Sequence, residues 1–208
     1  MKKLSVGMAA VTALLGVSIG GCATTSSPGE LATTSYRHSN SGTVVYREEF
    51  EFVPPTKEWK RMEGVGVDEF MIAFLKRGDC PSLCLSTFAY DEEPYGYSRD
   101  LDTRVAEFYQ RFLWAARVKF GDIHTQSVPV LGGVGLAASA EGSEPVRQQK
   151  VMTELILGKR GERVVAFYYS QWRPMEGAYD PRDLEEFESF ARSFRLLKES
   201  FYEKNLTD

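Results

Sequence analysis

Two segments of the chain carry apolar residues at intervals of three and four positions, the spacing that puts them on one face of a helix. The first segment runs from Asp100 to Lys119, and its apolar positions are Leu101, Val105, Phe108, Phe112 and Ala115. The second begins at Asp180 and Pro181, an N-cap followed by a proline. Its apolar positions are Leu184, Phe187, Phe190, Ala191 and Phe194. The pattern predicts two amphipathic helices that each bury one face.

Other segments alternate apolar and polar residues, which is the period of a half-buried strand. From Thr43 to Phe52 the alternation predicts one strand, which ends before a Pro-Pro pair. The segments 150–157 and 163–172 are separated by a short connection with two glycines, so we expect an antiparallel hairpin. Further strands are predicted at 69–75, 84–90, 125–131 and 134–141.

This order of strands, helix, strands and final helix predicts an α+β domain in which a mostly antiparallel sheet is packed between helices. We assign one globular domain to residues 42–198 and a short C-terminal tail to 199–208. The chain has 208 residues, enough for one domain with a proper core. Its aromatic content of 12% argues against disorder, and its net charge of −4 argues against binding to nucleic acid.

The start of the chain has the organisation of an export signal. Two lysines are followed by an uncharged apolar run from Leu4 to Ile19, which as a helix would be about 24 Å long and too short to cross a membrane. The next motif, Ile19-Gly20-Gly21-Cys22, resembles the lipobox of bacterial lipoproteins, in which a branched residue and two small ones precede a lipidated cysteine. The resemblance implies that residues 1–21 are removed and that Cys22 carries acyl chains such as palmitate.

Residues 22–41 are rich in serine and threonine and poor in apolar residues, so we expect a disordered tether with a typical reach of about 25 Å. The residue that follows Cys22 is Ala23 and not an aspartate, which resembles lipoproteins sent to the outer membrane. We therefore expect the acylated N-terminus to hold the domain to the lipid bilayer, at the outer membrane and facing the periplasm. An ordinary secretory leader with a chance cysteine is the alternative.

Two cysteines remain after the lipobox, Cys80 and Cys84. In an exported protein this spacing favours a structural disulfide that closes a small loop. The spacing is not the C-x-x-C of redox enzymes, and no histidine lies near enough in sequence to favour a metal site.

The order of parts between Thr43 and Leu197 resembles the PsbP/Mog-type fold, in which an antiparallel sheet is packed between helices. The resemblance is carried by an aromatic-rich strand, a Pro-rich turn with Trp59, a long helix, a closing hairpin and a final helix with the pair Phe190 and Phe194. Members are mostly non-enzymatic accessory or binding proteins, among them a photosystem subunit, a small-GTPase binder and bacterial envelope lipoproteins. The resemblance implies a binding role and transfers no functional residue.

The sequence offers little for catalysis. Nucleophilic sites built on serine or cysteine need a positioned histidine, and outside the tether the chain has only His124. The segment Gly132-Gly133-Val134-Gly135 lacks the lysine of a P-loop and is interpreted as a bend between strands. We expect no enzyme activity, no cofactor and no metal. Paired carboxylates that cleave glycans stay open, because their pairing is spatial and leaves no sequence pattern.

Aromatic residues beside two predicted loops are the best candidates for binding. One loop lies at 91–94, and the other joins the hairpin to the final helix. The candidate interaction surface consists of Tyr95, Tyr97, Trp172, Arg173, Met175 and Tyr179. Tyrosine, tryptophan, arginine and methionine are enriched at protein interfaces. The same rings would equally serve to cap the ends of the core.

The function favoured by these patterns is a non-catalytic, membrane-anchored binding or accessory module for other envelope proteins. Two alternatives stay open. An envelope hydrolase acting on glycan or lipid would need facing carboxylates in an aromatic cleft, and a carrier of a small apolar ligand would need a hollow between sheet and helix.

Overall fold

A computed structural model describes residues 36–38, 42–46, 50–61, 71–76, 83–90, 100–160 and 163–197. These ranges contain two helices, α1 (Leu101–Ala116) and α2 (Pro181–Ser193), and neither is long and apolar enough to cross a membrane. The strands are β1 (Tyr36–His38), β2 (Val44–Tyr46), β3 (Phe50–Phe52), β4 (Lys60–Arg61), β5 (Met71–Lys76), β6 (Leu83–Tyr90), β7 (Lys119–Phe120), β8 (His124–Val130), β9 (Gly133–Glu144), β10 (Gln149–Arg160), β11 (Arg163–Pro174) and β12 (Arg195–Leu196).

Eight of these strands form one antiparallel sheet in the order β4-β5-β6-β11-β10-β9-β7, with β8 also paired to β9. The hairpin of β10 and β11 lies at its centre and pairs from Gln149↔Pro174 to Arg160↔Arg163. The predicted hairpin is therefore confirmed, with strands a few residues longer than the predicted 150–157 and 163–172. The predicted class, an α+β domain with an antiparallel sheet, is also confirmed.

The two faces of this sheet are covered by different helices. On the α1 face, Val105 and Tyr109 of α1 pack against Val151 and Leu155 of β10. On the α2 face, Phe187 and Phe190 of α2 pack against alternate residues of β11, which are Val165, Phe167 and Tyr169. Because successive side chains of a strand point to opposite faces, β11 is buried on both sides, which explains its nearly continuous apolar sequence.

A second, four-stranded sheet (β1-β2-β3-β12) closes the α2 face with an aromatic core. Phe50 and Phe52 of β3 lie 5.1 and 5.7 Å from Phe194, measured between ring centroids. Phe52 also meets Phe190 edge-on at 5.4 Å. These rings are at most 2% exposed, so the end of α2 is fixed by aromatic packing on both sides.

The prediction of one strand from Thr43 to Phe52 is wrong. This segment contains two strands, β2 and β3, which pair antiparallel with Val44 opposite Phe52 and Tyr46 opposite Phe50. Directly opposed residues share a face, so the hairpin preserves the alternation of a single strand. Three residues of the predicted tether, Tyr36–His38, also form β1 on the edge of β2. The polar composition of this segment does not indicate a strand, because the backbone of a polar segment can still pair with a neighbouring strand.

The ends of both helices follow from local chemistry. Asp100 accepts a hydrogen bond from the backbone N–H of Thr103 at 2.8 Å, and hydrogen bonds from the Thr103 side chain and backbone hold the pKa of Asp100 below its usual value. Helix α1 stops at Ala116, not at Lys119 as predicted, because Arg117 takes a left-handed φ of 58° and the chain enters β7. Asp180 caps α2 and Pro181 begins it, as predicted.

The glycines between β8 and β9 form a hairpin turn, which confirms the predicted bend. Gly132 has a φ of +75°, a conformation that favours glycine. Gly135 serves close packing instead, since a Cβ there would lie 2.2 Å from the carbonyl oxygen of Leu157. Gly132 therefore permits the turn between β8 and β9, and Gly135 allows β9 to lie tightly against β10.

Candidate functional site

Two turns meet at one end of the large sheet and expose apolar side chains. The turn between β9 and β10 (145–148) touches the turn after β11, because the Met175 N–H donates to the Gln148 carbonyl at 3.2 Å. Val146 is 78% exposed and Met175 is 42% exposed. Trp172 lies two residues before the second turn, half-buried against the α1-face core. We call Val146, Met175 and Trp172 the turn-end surface.

The structure separates the predicted interaction residues that it describes. Trp172 points to the α1 face, whereas Arg173 points to the α2 face and is held there. Its Nε donates to the Ala178 carbonyl at 3.1 Å, and its guanidinium lies 3.8 Å from the Asp183 carboxylate. Tyr179 is half-buried with the Lys150 ammonium 4.9 Å from its ring centre. Burial and the nearby Glu141 raise the pKa of Tyr179 to about 12.

Several residues of the predicted sites lie outside the described residues. These are Tyr95, Tyr97, Cys22 and Cys80, together with the leader and the tail. For Cys84 the backbone is described, in β6 opposite Leu75, but the side chain is not. The Cys80–Cys84 disulfide and the lipidation of Cys22 therefore stay predictions.

A network of charged groups fixes the start of α2 on the sheet. Asp183 is 3% exposed, and its carboxylate accepts from Lys76 Nζ at 2.7 Å and from Gln171 Nε2 at 3.1 Å. Lys76 also lies 2.8 Å from the exposed carboxylate of Glu58. Gln171 in turn accepts from the backbone N–H of Asp180 at 2.7 Å. The buried carboxylate at this helix start is thus fully partnered by β5 and β11.

The next turn of α2 is tied to the segment between β3 and β4. The Glu186 carboxylate accepts from the Thr56 hydroxyl at 2.9 Å and from the indole N–H of Trp59. Trp59 is 5% exposed, and the Lys76 ammonium lies 5.9 Å from its ring centre. Throughout the described part of the chain, no group of three or more His, Cys, Asp or Glu side chains is arranged to hold a metal ion.

Glu154 is the buried carboxylate of the α2 face that lies apart from this network. It alternates with Met152 and Ile156 on β10, both of which pack on the α2 side, and it is 8% exposed. Burial, together with the negative charge of Glu188 on α2, raises the pKa of Glu154 from 4.5 to about 7.

Sequence reasoning missed Val146 and Glu154, although each leaves a visible signal. Val146 is an apolar residue inside a polar turn, where a solvent-exposed role would favour a polar one. Glu154 is the one carboxylate of β10, and it directly precedes the apolar run Leu155-Ile156-Leu157. A charged residue at such a position has to be buried, so it indicates either a partner or a site.

These features define a single-domain α+β protein whose antiparallel sheet lies between two helices. No family model matches the chain, and no curated protein matches it. Among solved structures, a PsbP from the cyanobacterium Synechocystis is similar at 12% identity and a TM-score of 0.45, over 82% of this chain and 98% of that one. The sequence resemblance described above is to the PsbP/Mog-type fold.

Two further solved structures are similar. LpqN, which is involved in cell envelope biogenesis of Mycobacterium tuberculosis, matches at 9% identity and a TM-score of 0.39, over 71% of this chain and 83% of its own. A Bacteroides thetaiotaomicron protein matches at 15% identity and a TM-score of 0.42, over 72% of this chain and 46% of its own. All three TM-scores lie below 0.5, and no residue or activity of these proteins is carried over to this chain.

Proposed function

We propose that this protein is a lipid-anchored envelope protein whose folded domain is a non-catalytic binding or accessory module for another envelope protein. The turn-end surface is the observation that carries this proposal. Val146 and Met175 expose apolar area on adjacent turns, and Trp172 is half-buried on β11, three residues before Met175. Covering such area with a partner is favourable, and methionine and tryptophan are enriched at interfaces.

Both turns are held by their own hydrogen bonds, which supports a binding role. In the first turn, the Arg147 N–H donates to the Glu144 carboxylate at 2.8 Å. In the second, the Gly177 N–H donates to the Pro174 carbonyl at 2.9 Å. A surface that is already ordered loses little conformational entropy when a partner binds.

The hydrolase alternative has one observation in its favour, the electrostatic interaction by which Glu188 on α2 helps to raise the pKa of Glu154. A glycosidase acid has to reach the bridging oxygen of its substrate. Glu154 is 8% exposed, which leaves its carboxyl group little surface with which to contact a glycan chain. The binding module is therefore the preferred function.

In-cell crosslinking tests the binding role. A photo-crosslinking amino acid at position 175 of the full-length protein is expected to give one dominant product with an envelope protein. Val146→Ser should remove that product, because it replaces an exposed apolar side chain next to the crosslinker with a polar one.

The matched control is Val134→Ser, which makes the same change at a valine that is 76% exposed at the other end of β9. This variant should crosslink like the wild type. Equal products from both variants would show that the turn-end surface does not select the partner, and the absence of any product would contradict the proposal.

The membrane anchor has a separate test. Cys22→Ala should abolish incorporation of a clickable palmitate analogue and remove the protein from the outer-membrane fraction, because the lipobox places acylation on that thiol. An Ala23→Ser variant keeps the cysteine and should be acylated normally. Palmitate incorporation into Cys22→Ala would refute the anchor.

A further inference from the structure

One buried carboxylate of the α2 face has no protein partner. Glu154 is 8% exposed, and among the residues that the structure describes no hydrogen bond or ion pair reaches its side chain. Two other buried carboxylates show the usual solution, since Asp183 pairs with Lys76 and Glu144 accepts from the backbone N–H of Arg147. Burial of an unpaired charge is costly, so the environment of Glu154 is unusual.

The strand register shows what lies beside Glu154. Tyr169 of β11 lies directly opposite on one side, under the ring of Phe187 at 5.3 Å, so α2 covers that side. Ser139 of β9 lies directly opposite on the other side, and His124 of β8 follows it. Ser139 is half-buried and His124 is exposed, so the sheet is open toward β8.

Glu188 of α2, the helix that covers this face of the sheet, supplies a second carboxylate. It lies on the half-buried flank of α2, four residues after Leu184, and its charge acts on Glu154. The guanidinium of Arg192 contacts it at 3.2 Å from the exposed side of the helix. Glu154 on the sheet and Glu188 on α2 therefore interact electrostatically on one face, where Ser139 lies directly opposite Glu154 and the sheet is open toward β8.

We propose that Glu154, Glu188 and Ser139 form a binding site for a primary ammonium group, supplied by a free amine or by a lysine side chain. An ammonium has three N–H donors and one positive charge, which match a hydroxyl and two carboxylates. A calcium ion needs six to eight oxygen ligands and fits this set poorly. The site is distinct from the turn-end surface, so the failure of either proposal leaves the other standing.

Titration of the full-length protein in detergent with putrescine and with N-acetyl-lysine amide tests the proposal. The two probes distinguish a free amine from a lysine side chain, and tetramethylammonium serves as a cation without N–H donors. We expect saturable binding of at least one amine, with shifts of the Ser139 and Glu154 amide signals, and weaker binding of tetramethylammonium. Calorimetry gives the affinities.

The variants assign the site. Glu154→Gln should weaken amine binding at least tenfold, and Glu188→Gln should weaken it less because that side chain also pairs with Arg192. Glu176→Gln is the matched control, since it removes the same charge from an exposed turn and should bind like the wild type. If Glu154→Gln melts at or above the melting temperature of the wild type, its loss of amine binding is not caused by a folding defect.

Binding should also release a proton. Glu154 holds its proton up to about pH 7, so an ammonium ligand has to displace it, and affinity should rise between pH 6 and 8. The charged or titratable groups that face this site from the surrounding elements are Glu188 with Arg192 on α2, Glu141 on β9, His124 on β8, Tyr169 on β11 and Lys150 on β10. The pH series is therefore run in a His124→Gln background.

Three results of the amine titrations would overturn the proposal. These are no saturable binding of either amine, equal binding by Glu154→Gln and the wild type, or equal affinity for tetramethylammonium. Calcium binding that depends on Glu154 would likewise replace the ammonium assignment with a metal site.

Discussion

Replacing Lys76 with methionine is expected to lower the free energy of unfolding by about 3 kcal/mol. Lys76 is the closest cation to Asp183, at 2.7 Å, and Asp183 is 3% exposed. Methionine fills a similar volume but leaves the carboxylate with Gln171 at 3.1 Å and the more distant Arg173 at 3.8 Å. Chemical denaturation at pH 7 measures the loss.

Glu58→Gln is the matched control for this prediction. Glu58 is also 2.8 Å from Lys76, but its side chain is 63% exposed, so its loss should change stability by less than about 1 kcal/mol. A second comparison uses the double variant Lys76→Met/Asp183→Asn. It removes both charges and should recover part of the free energy of unfolding that Lys76→Met loses. Equal effects of Lys76→Met and Glu58→Gln would show that burial of Asp183 does not set the cost.

The pH dependence of this pair also has a definite sign. Burial lowers the pKa of Lys76, but hydrogen bonds to Asp183 and Glu58 outweigh burial and raise it above 10.5. The stability that the raised pKa provides is fully present below 10.5 and is lost only at higher pH. Lys76 therefore contributes no slope near neutral pH.

The sheet and helices were predictable because their signals are local. The apolar stripes of α1 and α2 depend on single elements, and the hairpin of β10 and β11 depends on two apolar segments joined by a short connection. The split of Thr43–Phe52 into β2 and β3 was not predictable in this way, since opposed residues of a hairpin alternate like one strand. The short strands β7 and β12 depend on partners far away in sequence, Ser143 and Glu51 among them.

The candidate sites were harder to predict, because they depend on faces and neighbours. Trp172 and Arg173 are adjacent in sequence and were grouped together, but the pleat of β11 sends them to opposite faces. Asp183 is one of several acidic residues near the start of α2, where negative charge is favourable in any helix, so the sequence does not single it out. Only the register shows that it meets Lys76 of β5, 107 positions away in the chain.

Glu154→Gln is expected to stabilise the protein at pH 8 by about 2 kcal/mol. The folded carboxyl keeps its proton up to about pH 7, whereas the unfolded one loses it near 4.5. The folded state therefore binds more protons between these values, and wild-type stability falls as the pH rises from 4.5 to 7. The pKa difference corresponds to about 3 kcal/mol at 1.36 kcal/mol per unit, and contact with water reduces this to about 2 kcal/mol.

Glutamine has nearly the same shape and stays neutral, so the two proteins should be about equally stable below pH 4.5. The difference should open between pH 4.5 and 7 and stay constant above, which denaturation at a series of pH values measures. Glu176→Gln, at an exposed turn, should follow the wild type throughout. A Glu154→Gln curve parallel to the wild type would mean that this carboxylate is charged in the folded protein, and it would remove proton release from the proposed ammonium site. A gain in stability together with a loss of amine binding would instead show that β10 keeps a destabilising residue because it binds a ligand.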